Sequence, residues 1–142
     1  MKLLLISFFL FAQVIWSGNF DEAQQQAHQS HKMIMVNFSG SDWCGPCIRL
    51  RKEILETSAF NDYAQDHLVL VRADFPRLKK NQLSKEQVKR NEALAEKYNA
   101  EGKFPFTLLL DENGKVLKTW DGYPDLTTPQ FVAQIQAFEH GK

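Results

Sequence analysis

Two cysteines are the residues of this chain best suited to covalent chemistry. Cys44 and Cys47 are separated by Gly45-Pro46 and stand where an apolar strand pattern gives way to a helical one. Two thiols at this spacing on the first turn of a helix can close into a small disulfide ring. The unpaired N–H groups and the dipole at the start of a helix stabilise a thiolate at the first sulfur. Because the second thiol can then attack a mixed disulfide formed by the first, the pattern predicts thiol–disulfide exchange.

The residues around the two cysteines leave other interpretations open. Gly45 gives steric room, and Pro46 fixes one backbone angle without losing a hydrogen bond that the first helical turn needs. His28 and His31 could join the cysteines as four zinc ligands. A purely structural disulfide is a further alternative, although so small a loop constrains little chain entropy.

The elements that must position the cysteines alternate between strand and helix. Met33–Phe38 is a nearly continuous apolar run, typical of a central parallel strand that is covered on both faces. A helix is expected from about Cys44 to Ser58. The remaining predicted elements are, in chain order, a helix opening at Asn19, a strand at Leu68–Val71, a helix from Ser84 to Tyr98, strands at Phe106–Leu110 and Val116–Trp120 joined by the turn Asp111–Gly114, and a helix with Thr128 as N-cap followed by Pro129. This order predicts an α/β fold with a mixed sheet flanked by helices.

Length and composition fit one compact domain. The chain has 142 residues, 44% of them apolar, and 17 basic residues balance 17 acidic ones. A neutral chain has no bulk field that would draw it to nucleic acid or to an anionic membrane. Intrinsic disorder is excluded by the apolar content, and a disulfide-stapled miniprotein is excluded by the cysteine count.

The first residues have the pattern of a secretory signal peptide. Met1-Lys2 is followed by an apolar run of about ten residues, which is too short to span ~30 Å of hydrocarbon. Cleavage is expected after Ala12, so that residues 13–142 form a single mature domain, with Ser17-Gly18 as the alternative site; a buried N-terminal helix is the competing interpretation. Trp16 is then expected to pack beside the first helix. Export places the protein in an oxidising compartment, which is the periplasm for a bacterial protein.

These motifs together resemble the thioredoxin family. The resemblance rests on Val36-Asn37-Phe38 leading to Trp43-Cys44-Gly45-Pro46-Cys47, on Phe104-Pro105 before a strand, and on Gly114 in the next hairpin. It extends from about residue 19 to 139 and implies a thioredoxin-like three-layer sandwich. By resemblance, Cys44 is the attacking thiol, Cys47 resolves, and Pro105 is a cis-proline that faces the disulfide. The backbone of Phe104 would pair with an extended substrate, and Trp43 beside Cys44 would be an exposed platform for that substrate.

Three features depart from the family pattern. Asn37 stands where thioredoxins have a buried aspartate, so Asp42 is the nearest acid in sequence that could receive a proton from Cys47. The loop 39–42 is one residue longer than usual. The segment 75–83 is an additional stretch, and its basic residues Arg77, Lys79 and Lys80 are interpreted as a solvated loop, with a docking patch as the alternative. These features are similar to those of exported bacterial thioredoxin-like proteins.

The resemblance implies an exported thiol–disulfide oxidoreductase that reduces protein disulfides. It needs no bound cofactor or metal, because the redox group is the Cys44–Cys47 pair itself. Family analogy predicts disulfide-containing protein substrates, a membrane thiol electron donor and a monomeric protein. One alternative is a binding or chaperone-like module that uses the groove around Trp43 and Pro105 without turnover. A disulfide oxidase or isomerase is another, although Gly45-Pro46 resembles the reducing branch of the family.

Overall fold

The computed structural model of the chain describes residues 14–139, and the predicted signal peptide lies outside that range. Strands and helices alternate along it. The elements are β1 (Trp16–Ser17), α1 (Phe20–Ser30), β2 (Met33–Ser39), α2 (Gly45–Leu50) continued by a π-helical turn (Arg51–Leu55), α3 (Ser58–His67), β3 (Leu68–Asp74), a 3-10 turn (Lys79–Asn81), α4 (Lys85–Tyr98), β4 (Phe106–Leu110), β5 (Val116–Asp121) and α5 (Thr128–Gln136). Within residues 14–139, no helix is both long enough and apolar enough to cross a bilayer.

The five strands form one mixed sheet in the order β1-β3-β2-β4-β5. Strands β1 and β2 run parallel to β3, whereas β4 runs antiparallel to both β2 and β5. Asn37 on β2 lies opposite Arg72 of β3 on one side and Thr107 of β4 on the other. The predicted mixed α/β sheet is confirmed, and the predicted hairpin closes at Gly114, whose φ of 83° favours glycine.

The core consists of two layers, one on each face of the sheet. Met33 and Met35 of β2 pack with residues of α2, α3 and α5. Ile34, Val36 and Phe38 alternate with them and pack with residues of α1 and α4. All seven residues of β2 are buried, as the continuous apolar run predicted. The result is the expected three-layer sandwich.

Side-chain caps fix where the helices begin. Asn19 Oδ1 accepts from the backbone N–H groups of Asp21 and Glu22, which confirms the predicted N-cap. Ser84 Oγ likewise accepts from the N–H of Gln87. For the last helix the predicted N-cap is wrong by one residue. Thr127 is the cap and forms a reciprocal capping box with Gln130, which places Thr128 inside the first turn.

Two elements differ from the sequence prediction. The helix expected to run from Cys44 to Ser58 ends at Leu55, and α3 begins after Thr57, whose Oγ1 accepts from the N–H of Phe60 and donates to the carbonyl of Ile54. One threonine therefore ends one helix and caps the next.

The second difference concerns β1, the outermost strand of the sheet. Trp16 does not pack beside α1: it belongs to strand β1, packs on the α3–α5 side, and its ring lies 4.2 Å from the guanidinium of Arg72.

Candidate active site

The disulfide lies at the start of α2. Cys44 and Cys47 are bonded, with their Cα atoms 5.2 Å apart. Cys44 is the N-cap of the helix, and its Sγ accepts a hydrogen bond from the N–H of Cys47 at 3.2 Å. Gly40 directs its N–H at Cys47 Sγ from 3.5 Å. A backbone donor therefore lies against each sulfur, and the donor on Cys44 stabilises negative charge on the first thiol.

The peptide bond between Phe104 and Pro105 is cis, which confirms the predicted isomer. Strand β4 begins at the next residue, Phe106, which lies opposite Phe38 near the end of β2. Pro105 is thus at the same edge of the sheet as the loop that leads to Cys44. The carbonyl of Pro105 accepts from the N–H of Gly122 at 2.9 Å, so the loop after β5 joins the same edge.

Trp43 is packed on several sides. Its Nε1–H donates to the carbonyl of Phe75 at 2.7 Å, and the guanidinium carbon of Arg77 lies 3.6 Å from the ring centroid. The ring of Phe104 meets it edge-on at 5.5 Å. Gly40 is required below it, because a Cβ there would overlap the indole. Trp43 is therefore half-buried and less exposed than expected, because Arg77 covers one face of the ring and the indole N–H already has an acceptor. Its role in substrate binding stays a prediction.

Asp42 binds the segment 75–83, which we call the insertion. Its carboxylate accepts from the backbone N–H groups of Arg77 and Leu78, each at 2.9 Å, and from Asn81 Nδ2 at 3.0 Å. These hydrogen bonds, the one from Arg77 foremost, lower the pKa of the Asp42 carboxyl below its ordinary value. The sequence suggested Asp42 as a proton acceptor for Cys47. In the structure this carboxylate anchors a neighbouring loop, and the role in proton transfer stays a prediction.

Asp74 anchors the other end of the insertion, and sequence reasoning missed it. Its carboxylate accepts from the N–H of Ser41 at 2.9 Å and from that of Phe75 at 3.0 Å. Its carbonyl accepts from Asn91 Nδ2 of α4 at 2.9 Å. A signal was available, because Asp74 ends a strand parallel to β2 and the carboxyl ends of parallel strands meet at one edge.

Asn37 lies under the site on the sheet face that carries α2. The residue is 3% exposed, and its Nδ2 donates to Thr107 Oγ1 at 3.0 Å. Met35 and Leu109, which flank this pair along their strands, belong to the same core layer. A neutral amide thus occupies the position where the family pattern expects a titrating carboxyl.

A polar group that joins α2 and its π-helical continuation to the loop after β5 was also missed. The Tyr123 hydroxyl donates to Glu53, and the guanidinium of Arg49 lies 4.1 Å from the Tyr123 ring while its Nε binds Glu53. These bonds, the one from Tyr123 first, lower the pKa of Glu53. Tyr123 follows Gly122, the residue bonded to Pro105, so this group forms a second border of the site.

The alternative zinc site does not assemble. His31 is the C-cap of α1 and pairs with Glu112 at 3.3 Å, before the start of β2. Cys44 lies beyond the other end of that strand, whose seven residues span about 23 Å at ~3.3 Å each. The described part of the chain holds no group of three or more potential metal-ligating side chains.

Comparisons with known proteins agree with this geometry. A sequence profile described as a thioredoxin-like domain matches residues 20–139. The disulfide bond reductase DsbH of Chlamydia pneumoniae is 39% identical over 106 residues, which cover 75% of this chain and 61% of DsbH. The thioredoxin-related protein DsbJ of the same organism is 37% identical over 62 residues, covering 44% of this chain and 18% of DsbJ. The chain thus spans less than two thirds of the length of these relatives.

Solved structures show the same similarity. A structure of a DsbH oxidoreductase superposes with a TM-score of 0.81 at 30% identity, covering 100% of this chain and 95% of the other. A poplar thioredoxin h matches with a TM-score of 0.60 at 18% identity, covering 87% of this chain and 90% of the other. The second likeness concerns the fold alone.

We expect Asp42→Asn to loosen the insertion, because asparagine keeps only one acceptor oxygen: its NH2 group cannot accept either the bond from Arg77 or the bonds from Leu78 and Asn81. Trypsin should then cleave after Arg77, Lys79 or Lys80 several-fold faster than in the unmodified protein. Mass spectrometry of timed digests measures this rate.

Acid should also loosen the insertion, because it protonates the Asp42 carboxylate. Because folding lowers the pKa of Asp42, its stabilising contribution is complete above the unfolded value of ~3.9 and is lost as the pH falls through the folded value.

Asp62→Asn, an exposed change on α3, is the matched control for the cleavage rate of Asp42→Asn. Equal cleavage rates in the two variants would contradict the anchoring role.

Proposed function

The chain belongs to the thioredoxin-like domain family, and we propose that it is an exported thiol–disulfide oxidoreductase that reduces disulfides in proteins. The observation that carries the proposal is the Cys44–Cys47 disulfide at the N-terminus of α2, with a backbone N–H on Cys44 Sγ. The similarity to a protein named disulfide bond reductase supports the same direction of electron flow, as does the Gly45-Pro46 pair between the cysteines.

The reaction begins with the reduced pair. The Cys44 thiolate attacks one sulfur of a substrate disulfide, so that a mixed disulfide forms and the other substrate sulfur leaves as a thiolate. Cys47, after losing its proton, then attacks Cys44 Sγ and breaks the mixed disulfide. The substrate departs with two reduced sulfurs, and the Cys44–Cys47 disulfide holds the oxidation. Two electrons have passed to the substrate, and a thiol donor must return them; by family analogy we propose a membrane thiol protein.

The substrate is proposed to lie in extended form beside Phe104-Pro105. These residues precede Phe106, which lies opposite Phe38 near the end of β2, and the ring of Phe104 lies 5.5 Å from that of Trp43 in the loop of Cys44. An extended chain that pairs with backbone groups binds without requiring a particular sequence. This suits an enzyme that acts on protein disulfides.

Export is proposed from the basic start and the apolar run of the first twelve residues. The contacts of Trp16 and Ser17 favour cleavage after Ala12 over cleavage near Ser17-Gly18, because these residues form β1 and pair with Leu70 and Val71. Cleavage at the later site would remove an edge strand.

We expect the protein to accelerate the reduction of insulin by dithiothreitol and Cys44→Ser to abolish the acceleration. Cys47→Ser should retain the attack but not the resolution, so a mixed disulfide through Cys44 should accumulate and be visible by mass spectrometry. Adducts through Cys47 in the Cys44→Ser protein would reverse the assigned roles.

The direction of the reaction is measured separately on the unmodified protein. Equilibration with dithiothreitol should give a reduction potential near the ~−270 mV of thioredoxin. A value near the ~−120 mV of a strong disulfide oxidant would contradict the reductase proposal. No acceleration of insulin reduction by the unmodified protein would favour the alternative of a binding or chaperone-like module without turnover.

We expect Asn37→Asp to speed the resolution step near neutral pH, because a carboxylate can take the proton of Cys47 whereas an amide cannot. General base assistance is worth ~10²-fold or more when the base is well placed. The variant should also lose about 1–3 kcal/mol of stability, since the buried carboxyl must be desolvated.

Stopped-flow reduction of a peptide disulfide and thermal melts provide the two readouts. Thr107→Val is the control, because it removes the hydrogen bond of Asn37 without adding an acid. Resolution that is unchanged or slower in Asn37→Asp would show that the amide only satisfies buried polar groups.

We expect the exported protein to begin at Gln13 when the full chain is expressed in a bacterial host. N-terminal sequencing of the periplasmic fraction tests this. Leu4→Asp should keep the chain in the cytoplasm by interrupting the apolar run. A periplasmic protein that retains Met1 would contradict the processing proposal.

A further inference from the structure

The strongest local charge in this neutral chain begins in the insertion, which is hydrogen-bonded to the residues before Cys44. Between residues 77 and 90 the sequence has six basic residues and one acidic residue, Glu86. All six basic residues are exposed. We call them the basic surface: Arg77, Lys79, Lys80, Lys85, Lys89 and Arg90. We propose that this surface selects disulfide substrates whose flanking residues are acidic, an inference that rests on the proposed function and names its substrate class.

Position is the first argument. The insertion is tied to the residues that immediately precede Cys44, through the Asp42 carboxylate and the Trp43 indole. The guanidinium of Arg77 lies on the Trp43 ring at 3.6 Å. Basic charge is therefore held beside the loop that leads to Cys44.

Rigidity is the second argument. Lys79 and Lys80 stand between Leu78 and Asn81, both of which bind the Asp42 carboxylate. The backbone of the two lysines is thus held at both ends. A charge on an anchored loop loses less conformational freedom on binding than one on a free loop, so a partner gains more from it.

Charge balance is the third argument. Two acids contact the insertion, Asp42 and Asp74, and the backbone and amide N–H groups that their oxygens accept from do not belong to lysine side chains. On α4, Arg90 pairs with Glu86 at 2.8 Å, and Lys85 and Lys89 lie one helical turn apart on the same face. The basic surface therefore retains a positive excess that carboxylates of a substrate would complement.

The partner of the basic surface is the segment of the substrate polypeptide that flanks the disulfide to be reduced. As that disulfide approaches Cys44, the residues flanking it pass the insertion. Carboxylates there would meet Lys79, Lys80 and the exposed parts of Arg77. Charges at the rim of an interface act mainly on the rate of association and are weakened by salt.

The test uses three peptides with the same disulfide loop and with four flanking residues that are all Glu, all Gln or all Lys. The readout is the ratio of kcat/KM for the Glu peptide to that for the Gln peptide. We expect a ratio of about ten at low ionic strength and about two in 0.5 M salt, with the Lys peptide slowest.

Charge reversal identifies the residues. Lys79→Glu with Lys80→Glu should bring the ratio to one or below. Lys97→Glu with Lys115→Glu makes the same change in net charge at the end of α4 and in the β4–β5 hairpin, and should keep the ratio of the unmodified protein. A ratio near one in the unmodified protein, or an equal fall in both double variants, would overturn the inference.

Peptide binding to the oxidised protein, followed by fluorescence anisotropy, separates this inference from the proposed function. Tighter binding of the Glu peptide with no turnover of any peptide would contradict the reductase proposal and uphold the acidic preference. Turnover of all peptides at equal rates, with equal binding, would uphold the reductase proposal and contradict the acidic preference.

Discussion

Strand β2 is paired on both sides along the sheet and buried on both faces, and every part of the site depends on where it ends. Its seven residues are all buried, and its register with β3 and β4 is continuous from Ile34 to Phe38. A shift of one residue would move every side chain of β2 into the opposite core layer, where its packing partners belong to other helices, so the register is strongly specified. Because β3 ends and β4 begins at the same edge, three segments remote in sequence converge on the disulfide.

At that edge, carboxylates hold loops together through backbone N–H groups. Asp74 joins Ser41 to Phe75, and Asp42 joins the insertion to the loop before Cys44. Charge-assisted bonds of this kind are stronger than bonds between neutral groups. The loop that carries Trp43 and Cys44 is therefore braced from its outer side, while the sulfurs are contacted from the inner side by N–H groups of Gly40 and Cys47.

Features that depend on residues close together in the sequence could be predicted, whereas features that depend on distant partners could not. The central strand, the N-cap Asn19 and the start of α2 depend on neighbouring residues, and each was predicted correctly. Helix α3 was missed because Thr57 acts both as a helix stop and as a cap, and the sequence around it has helical character on both sides. The partners of Asp42 lie 35 to 39 residues away in the chain, so no local pattern could assign its role.

The chemistry of the site depends on residues close together in the sequence, whereas the proposed selectivity depends on residues far from the cysteines. Thiol exchange depends on Cys44, Cys47 and the helix start, all of which are close in sequence. The border of the site depends on the insertion, which is joined to the loop before the cysteines through Asp42 and Trp43. Changes at Lys79 or Lys80 can thus alter which substrates approach without touching the sulfurs. Gly40 affects both the thiol chemistry and the border of the site. A side chain there would displace the Trp43 indole, which joins the loop of the cysteines to the insertion.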